Sequence, residues 1–221
     1  SAPLWRNSIL SFSGSQQKVR GMVNGNVLVP LAGERTPLTA DPLLAAYVSR
    51  ILASYPAELP NRTDIAARML NTNAPQRINS DTASARIDQT LTSRDRLVLR
   101  QQLVHQRVLA FQFVRGMNPD TTTRSHQSRI TWVRQPSATA TFNLSLGFDR
   151  VASQLVPEPG NLGPRLSTSG LSGAGPNQDL PIDRAEYMFR QAAQARLVRG
   201  RHEWTLGYDL LRRHLNGVQN D

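Results

Sequence analysis

Four histidines, His105, His126, His202 and His214, are the side chains best suited to bind a metal or move a proton, and their spacing is too wide for a local ligand set. The sequence holds no cysteine, so a thiolate metal site and a disulfide framework are both excluded. No Ser-His-Asp or paired-carboxylate arrangement is visible. The glycine run "SGLSGAGP" at 169–176 neither follows a strand into a helix nor contains Gly-Lys-Ser/Thr, so it reads as loop and not as a phosphate cradle. The expectation is a chain with no catalytic, cofactor or metal residues, and not an enzyme. What remains is a set of charged and amide side chains, Arg86, Asp88, Arg100, Asn143 and Asp209, set at alternate positions within otherwise apolar ladders. Groups of that kind pair ions and hydrogen-bond polar solutes along a hydrated surface, and these five are expected to face a lumen.

The elements that would position them are strands of period two. Ala138, Ala140, Phe142, Leu144, Leu146 and Phe148 alternate with Thr139, Thr141, Asn143, Ser145 and Gly147. In "HEWTLGYDLLRR", His202, Trp204, Leu206, Tyr208 and Leu210 alternate with Glu203, Thr205, Gly207 and Asp209. Weaker ladders run through Ala83, Ala85, Ile87 and Leu91, from Leu97 to Phe113, from His126 to Arg134 and from Met188 to Arg199. Strands joined by a tight turn must put their apolar sets on one side, and three turns pass that parity test. A turn centred on Arg94 sets Leu91 opposite Leu97 and Asp88 opposite Arg100. A turn at 135–137 pairs even with even positions, and a two-residue loop at Gly200-Arg201 sets Leu197 opposite Trp204 and Ala195 opposite Leu206.

Outside these hairpins, Asp41 as a cap, Pro42 in the first helical position and apolar Leu44, Val48, Ile51 and Tyr55 predict a helix near 41–55. Asn24-Gly25 among valines predicts a type I′ turn, and the proline-bearing stretch from 56 to 82 reads as irregular loop. The organisation expected is therefore an early strand plus loop region with one helix (1–82), three antiparallel hairpins with a long loop at 157–184 (83–214), and a polar end (215–221). Short turns fall at one end of the sheet and long connections at the other.

Composition limits the partners. Of 26 basic residues Lys18 is the sole lysine, and the formal charge is +10 with a pI near 11.3. Such a balance invites nucleic acid, but the arginines are scattered and no nucleic-acid motif occurs, so no nucleic-acid partner is expected. No run of about 18 apolar residues predicts a membrane helix. Long strands with polar residues mid-strand and aromatics toward their ends, Trp132 and Trp204 near short turns and Phe111, Phe113, Tyr187 and Phe189 near long loops, match a membrane β-barrel. On that reading Trp132, Phe142, Leu144, Leu146, Phe148, Trp204, Leu206 and Tyr208 face lipid or form girdles, and the Arg212-Arg213 pair is a solvated strand end within reach of anionic headgroups. A soluble β-sandwich binding module and a small self-contained porin are the alternatives.

Three stretches carry a resemblance: "SILSFSGSQQKVRGMVNGNVLVPLAGERTPL", "DPLLAAYVSRILASYPAELPNR" and "FRQAAQARLVRGRHEWTLGYDLLRRHLNG". In the last, His202, Gly207, Asp209 and Arg212-Arg213 fall where receptors of one family place a His, Gly, Asp and basic pair. The chain resembles the barrel portion of TonB-dependent outer-membrane receptors, in the Oar-like branch that carries a carboxypeptidase-regulatory-like domain. The resemblance implies an incomplete antiparallel barrel of six to seven strands in the outer membrane of a Gram-negative-type bacterium. It implies as partners outer-membrane lipid, the remaining strands and plug, an inner-membrane energy-coupling protein acting through the plug, and an unknown bulky nutrient.

Overall fold

The computed structural model describes residues 7–219, and it is a single antiparallel sheet. Seven strands lie in chain order: β1 (Ser8–Leu28), β2 (Met69–Thr90), β3 (Asp95–Leu109), β4 (Asp120–Ser137), β5 (Ala140–Val156), β6 (Ile182–Arg199) and β7 (His202–Gln219). The one α-helix, α1 (Pro42–Leu52), stands in the β1–β2 connection. Asp41 caps it, its carboxylate accepting from the Leu43 and Leu44 amides at 2.8 and 3.3 Å, with Pro42 in the first turn as expected. Among the described residues no helix is long and apolar enough to cross a membrane.

The register sorts side chains onto two faces. Phe142, Leu144, Leu146 and Phe148 of β5 share one with Ile130 and Trp132 of β4, Ala193 and Ala195 of β6, and Leu206 and Tyr208 of β7. Among the described residues no second sheet covers it, which argues against the sandwich alternative. The normal burial order is inverted: Phe142, Leu103, Ile130 and Leu206 are 38, 42, 44 and 68% exposed, whereas Asp149 on the polar face is 7% exposed. Sequestered apolar side chains gather at one end of the sheet instead. Val27, Val29, Leu70, Tyr55, Val114 and Ala174 form a cluster supplied by the tops of β1 and β2 and by the β1–β2, β3–β4 and β5–β6 connections.

The sequence-based expectations need correction at seven places. β1 runs straight through Asn24-Gly25. The Asn24 amide donates to the side chains of Asn71 and Asn73 across the ladder, and the Phe113 ring lies so close to Gly25 that an added Cβ would come within 2.5 Å of it. The glycine serves close approach, not a turn. Residues 69–82 are strand, not loop. Pro75 is tolerated there because β3 pairs with β2 only from Arg77 onward, so at Pro75 the far side of β2 has no neighbour to miss its N–H.

The β2–β3 turn is tighter than the one centred on Arg94, with Leu91 N–H bonded to the Asp95 carbonyl and the Thr92 hydroxyl to the Asp95 carboxylate. Its register slips by two, so that Arg86, not Asp88, stands opposite Arg100. The β4–β5 turn lies at 138–139, beyond a register shift between Arg134 and Ser137, so Ala138 leaves the ladder. β7 continues through the supposed polar end to Gln219, because β6 offers it backbone partners along its whole length, and β6 begins at Ile182, inside the supposed long loop. Asn220 and Asp221 lie outside the described residues. Phe111 and Phe113 belong to the β3–β4 connection, their rings 4.9 Å apart beside the apolar cluster, and form no girdle. At the β6–β7 turn the expected pairs, Leu197 with Trp204 and Ala195 with Leu206, are those observed, and Gly200 has the positive φ of 62° that such a loop needs.

Candidate functional site

The polar face carries an arginine row that only the register reveals. Arg86 stands opposite Arg100, Arg100 opposite Arg129, Arg129 opposite Gly147, and Gly147 opposite Arg190. Four guanidiniums thus cross five adjacent strands at one level. Strands lie about 4.8 Å apart, so uncompensated charges in that row would repel. Carboxylates two residues along the strands offset the repulsion. Arg86 binds Asp88 in its own strand, and Arg96 binds the same carboxylate from β3. Arg190 of β6 pairs with Asp209 of β7.

Arg129 forms the best-shielded pair. Its two terminal nitrogens donate to the two oxygens of Asp149, both at 2.7 Å, and the Asp149 side chain is 10% exposed. To reach it, the guanidinium lies flat across Gly147, where an added Cβ would sit 2.9 Å from Nη1. Arg100 has no carboxylate partner among the described residues, and its side chain is exposed. Nearer the short turns Arg196 binds Glu203 at 2.6 Å. On the long-loop side hydroxyl pairs take over, Ser13 with Ser84 at 2.6 Å and Thr123 with Ser153 at 3.1 Å.

Of the five residues singled out in the sequence, Arg86 and Asp88 are joined directly and Arg100 lies in the same row. Asn143 and Asp209 line a recess of about 420 Å³ between β5, β6 and β7, together with Ser145, Gln194 and Gly207. Arg129, Asp149 and Arg190 were not singled out. Their odd–even parity placed them on the polar face, but a row of arginines becomes visible only when four strand registers are known.

Above the sheet, the apolar cluster forms a cap on the polar side of the raised β1–β2 tops, since Val27, Leu70 and Gly25 under Phe113 all point that way. Tyr55 donates its hydroxyl to the Ser172 carbonyl at 2.7 Å. Ser172 pairs through its backbone with Leu28, and Arg115 N–H reaches the Ser54 carbonyl. Glu34 braces the entry to β2: it binds Arg68 through both oxygens and accepts from Leu31 N–H at 2.9 Å. The Arg68 guanidinium holds the Glu34 carboxyl well below the usual carboxylate range, at about 2.

Nothing in this constellation joins a nucleophile to a base. It is an ionic and hydroxyl-rich wall with a structured rim, suited to binding anionic or oxygen-rich solutes through many weak contacts.

Among known proteins, no curated protein and no solved structure matches the chain. A family model does, the outer membrane beta barrel domain, and it spans residues 4–221. With long strands of alternating character, a bare apolar face and nearly the whole chain inside that match, the protein belongs to the outer membrane beta barrel family and resides in the outer membrane.

Proposed function

We propose that the chain is part of the barrel wall of a TonB-dependent receptor of the Oar-like branch, importing a bulky nutrient across the outer membrane. The observation that carries the reading is the open sheet: β1 and β7 each present an unpaired edge and do not pair with each other. Bare edges are unstable in lipid, where every backbone group needs a partner, so further strands must continue the wall. A second feature supports a wide barrel. Eight strands enclose space enough only for their own side chains. This polar face instead holds extended, part-exposed arginines and an inward-turned cap, which need a broad lumen.

On this reading the arginine row lines the lumen, and the cap borders its external mouth. A plug inside the same barrel would gate passage, driven by the inner-membrane energy-coupling protein.

Uptake by cells expressing the complete gene tests the proposal. Import that stops when the inner-membrane proton gradient is collapsed, or when the energy-coupling protein is deleted, is the expected result. Passive solute entry that persists under both conditions would replace the receptor with a porin.

A further inference from the structure

The lipid-facing side of the sheet ends, toward the long loops, in a belt of positive charge. On β5 the apolar ladder Phe142–Phe148 is followed at the next outward position by Arg150, and on β7 Leu210 is followed by Arg212. Four further strands, β1 to β4, extend the pattern. Lys18, Arg77, Arg107, Arg124, Arg150 and Arg212 come from β1, β2, β3, β4, β5 and β7, all on the apolar face by register, and Arg20 of β1 lies on that face too, opposite Arg77.

Register rows run perpendicular to the strands, whereas the membrane cuts across them. With strands tilted about 40° and about 4.8 Å apart, membrane level shifts by about one residue per strand. The short turns step by a similar amount: the row through Asp95, where β3 begins, meets β6 at Ala195, and β6 continues four residues further, to Arg199, across three strand-to-strand steps. Corrected for that slope, the six cations fall within about three residues of one height. Below them, Ala140 to Phe148 of β5 spans about 23 Å when tilted, close to the apolar band of an outer-membrane barrel. The belt therefore sits at the headgroups of the leaflet on the long-loop side, which in such barrels is the external one.

β6 contributes Tyr187 in place of a cation. Its ring lies 5.5 Å from the Arg150 guanidinium, and Arg150 Nε donates to its hydroxyl at 3.3 Å. His105, His126 and His214 interleave with the arginines. None of the six cations has a carboxylate in an ion pair among the described residues, whereas Arg86, Arg129, Arg190 and Arg196 of the polar face all do. Three carboxylates share this band: Asp81, engaged by Gln16 at 2.7 Å; Asp120, bonded to Ala110 N–H; and Asp183. Between β4 and β5, Arg124, Arg150, Asp183 and Thr122 line a cleft of about 200 Å³ open to the lipid side. The opposite rim differs. On the same face it carries Arg134 and Arg199, and Arg134 has Asp95 at 3.9 Å.

We infer that this belt binds the phosphates of a phosphorylated glycolipid headgroup of the outer leaflet, with the Arg124–Arg150 cleft as its principal seat. Guanidiniums accept phosphate oxygens through paired N–H donors, and a file of unpaired arginines at headgroup height is complementary to the phosphate-bearing surface of that leaflet. The inference holds whether the barrel is a receptor or a porin.

Purified full-length protein in nonionic detergent, incubated with lipid A carrying both phosphates or with its dephosphorylated form, and read by native mass spectrometry, provides the test. The expected result is retention of the phosphorylated form at least about tenfold above the dephosphorylated one. Combined R124Q and R150Q substitutions should remove most of that excess, while R134Q with R199Q at the other rim leaves it intact. Salt titration of the unaltered protein decides the matter without any substitution, because phosphate-dependent retention must fall as salt rises. Equal retention of both lipids, an R124Q/R150Q protein that binds like the unaltered one, salt-independent retention, or full displacement by millimolar inorganic phosphate would each overturn the inference.

Discussion

Replacing Gly147 by alanine tests whether the arginine row depends on a bare strand position. An added Cβ would stand 2.9 Å from Arg129 Nη1 and 3.0 Å from Cζ, so the guanidinium must lift away from β5 and lose its alignment with Asp149. A charge-assisted bidentate pair contributes about 1.5–3 kcal/mol when shielded. Here the Arg129 side chain is 36% exposed, which screens the pair and reduces the expected loss to about 1 kcal/mol. Glycine to alanine in a strand without such a clash stabilises by about 0.5–1 kcal/mol. G147A should therefore destabilise when Arg129 is present and stabilise in an R129A background, a coupling of about 1 kcal/mol or more between neighbours. Urea unfolding of the full-length protein in micelles, followed by tryptophan fluorescence, measures all four corners of the cycle. If G147A costs the same with and without Arg129, the account of why β5 has a glycine there fails.

L146R places a charge in the middle of the apolar band, opposite Ile130 and Gln191, and should cost about 2–4 kcal/mol, whereas S145R on the other face should cost far less. The yield of the heat-modifiable folded species compares the two, and equal yields would contradict the facing. Glu34 contributes to stability fully above the usual carboxylate value of 4.5, and the contribution is lost as pH falls through about 2. Pepsin should accordingly cut the 31–68 segment of unaltered protein only as pH drops from 4 toward 2, and cut E34Q at pH 4 already. G25V should expel the Phe113 ring from β1 and loosen the cap, making the 157–181 connection sensitive to protease added outside intact cells.

Facing was legible from sequence, register was not, and the reason is parity. Alternation distinguishes odd from even slips, but a two-residue slip keeps every side chain on its own face. Leu91 opposite Leu97 and the observed Gln89 opposite Leu97 satisfy the same pattern, and only the Thr92–Asp95 turn chemistry separates them. The arginine row stayed hidden for that reason. The upper β1–β2 ladder was missed because Asn71, Asn73 and Asn24 make its cross-strand bonds, and amides with glycine and proline nearby read as loop. Helix α1 was legible because its cap and first-turn proline are local signals. The positive belt requires strand tilt in addition to register, which no periodicity encodes.

The apolar cluster at the rim has a consequence for assembly. Its contributors arrive on three separate connections, so it cannot exist until the neighbouring hairpins have all delivered their tips to the far side of the bilayer. Each tip must cross as unpacked chain and meet the others afterwards. Closure of the Tyr55–Ser172 latch is thus a late event, and it marks a stretch of wall whose insertion is finished.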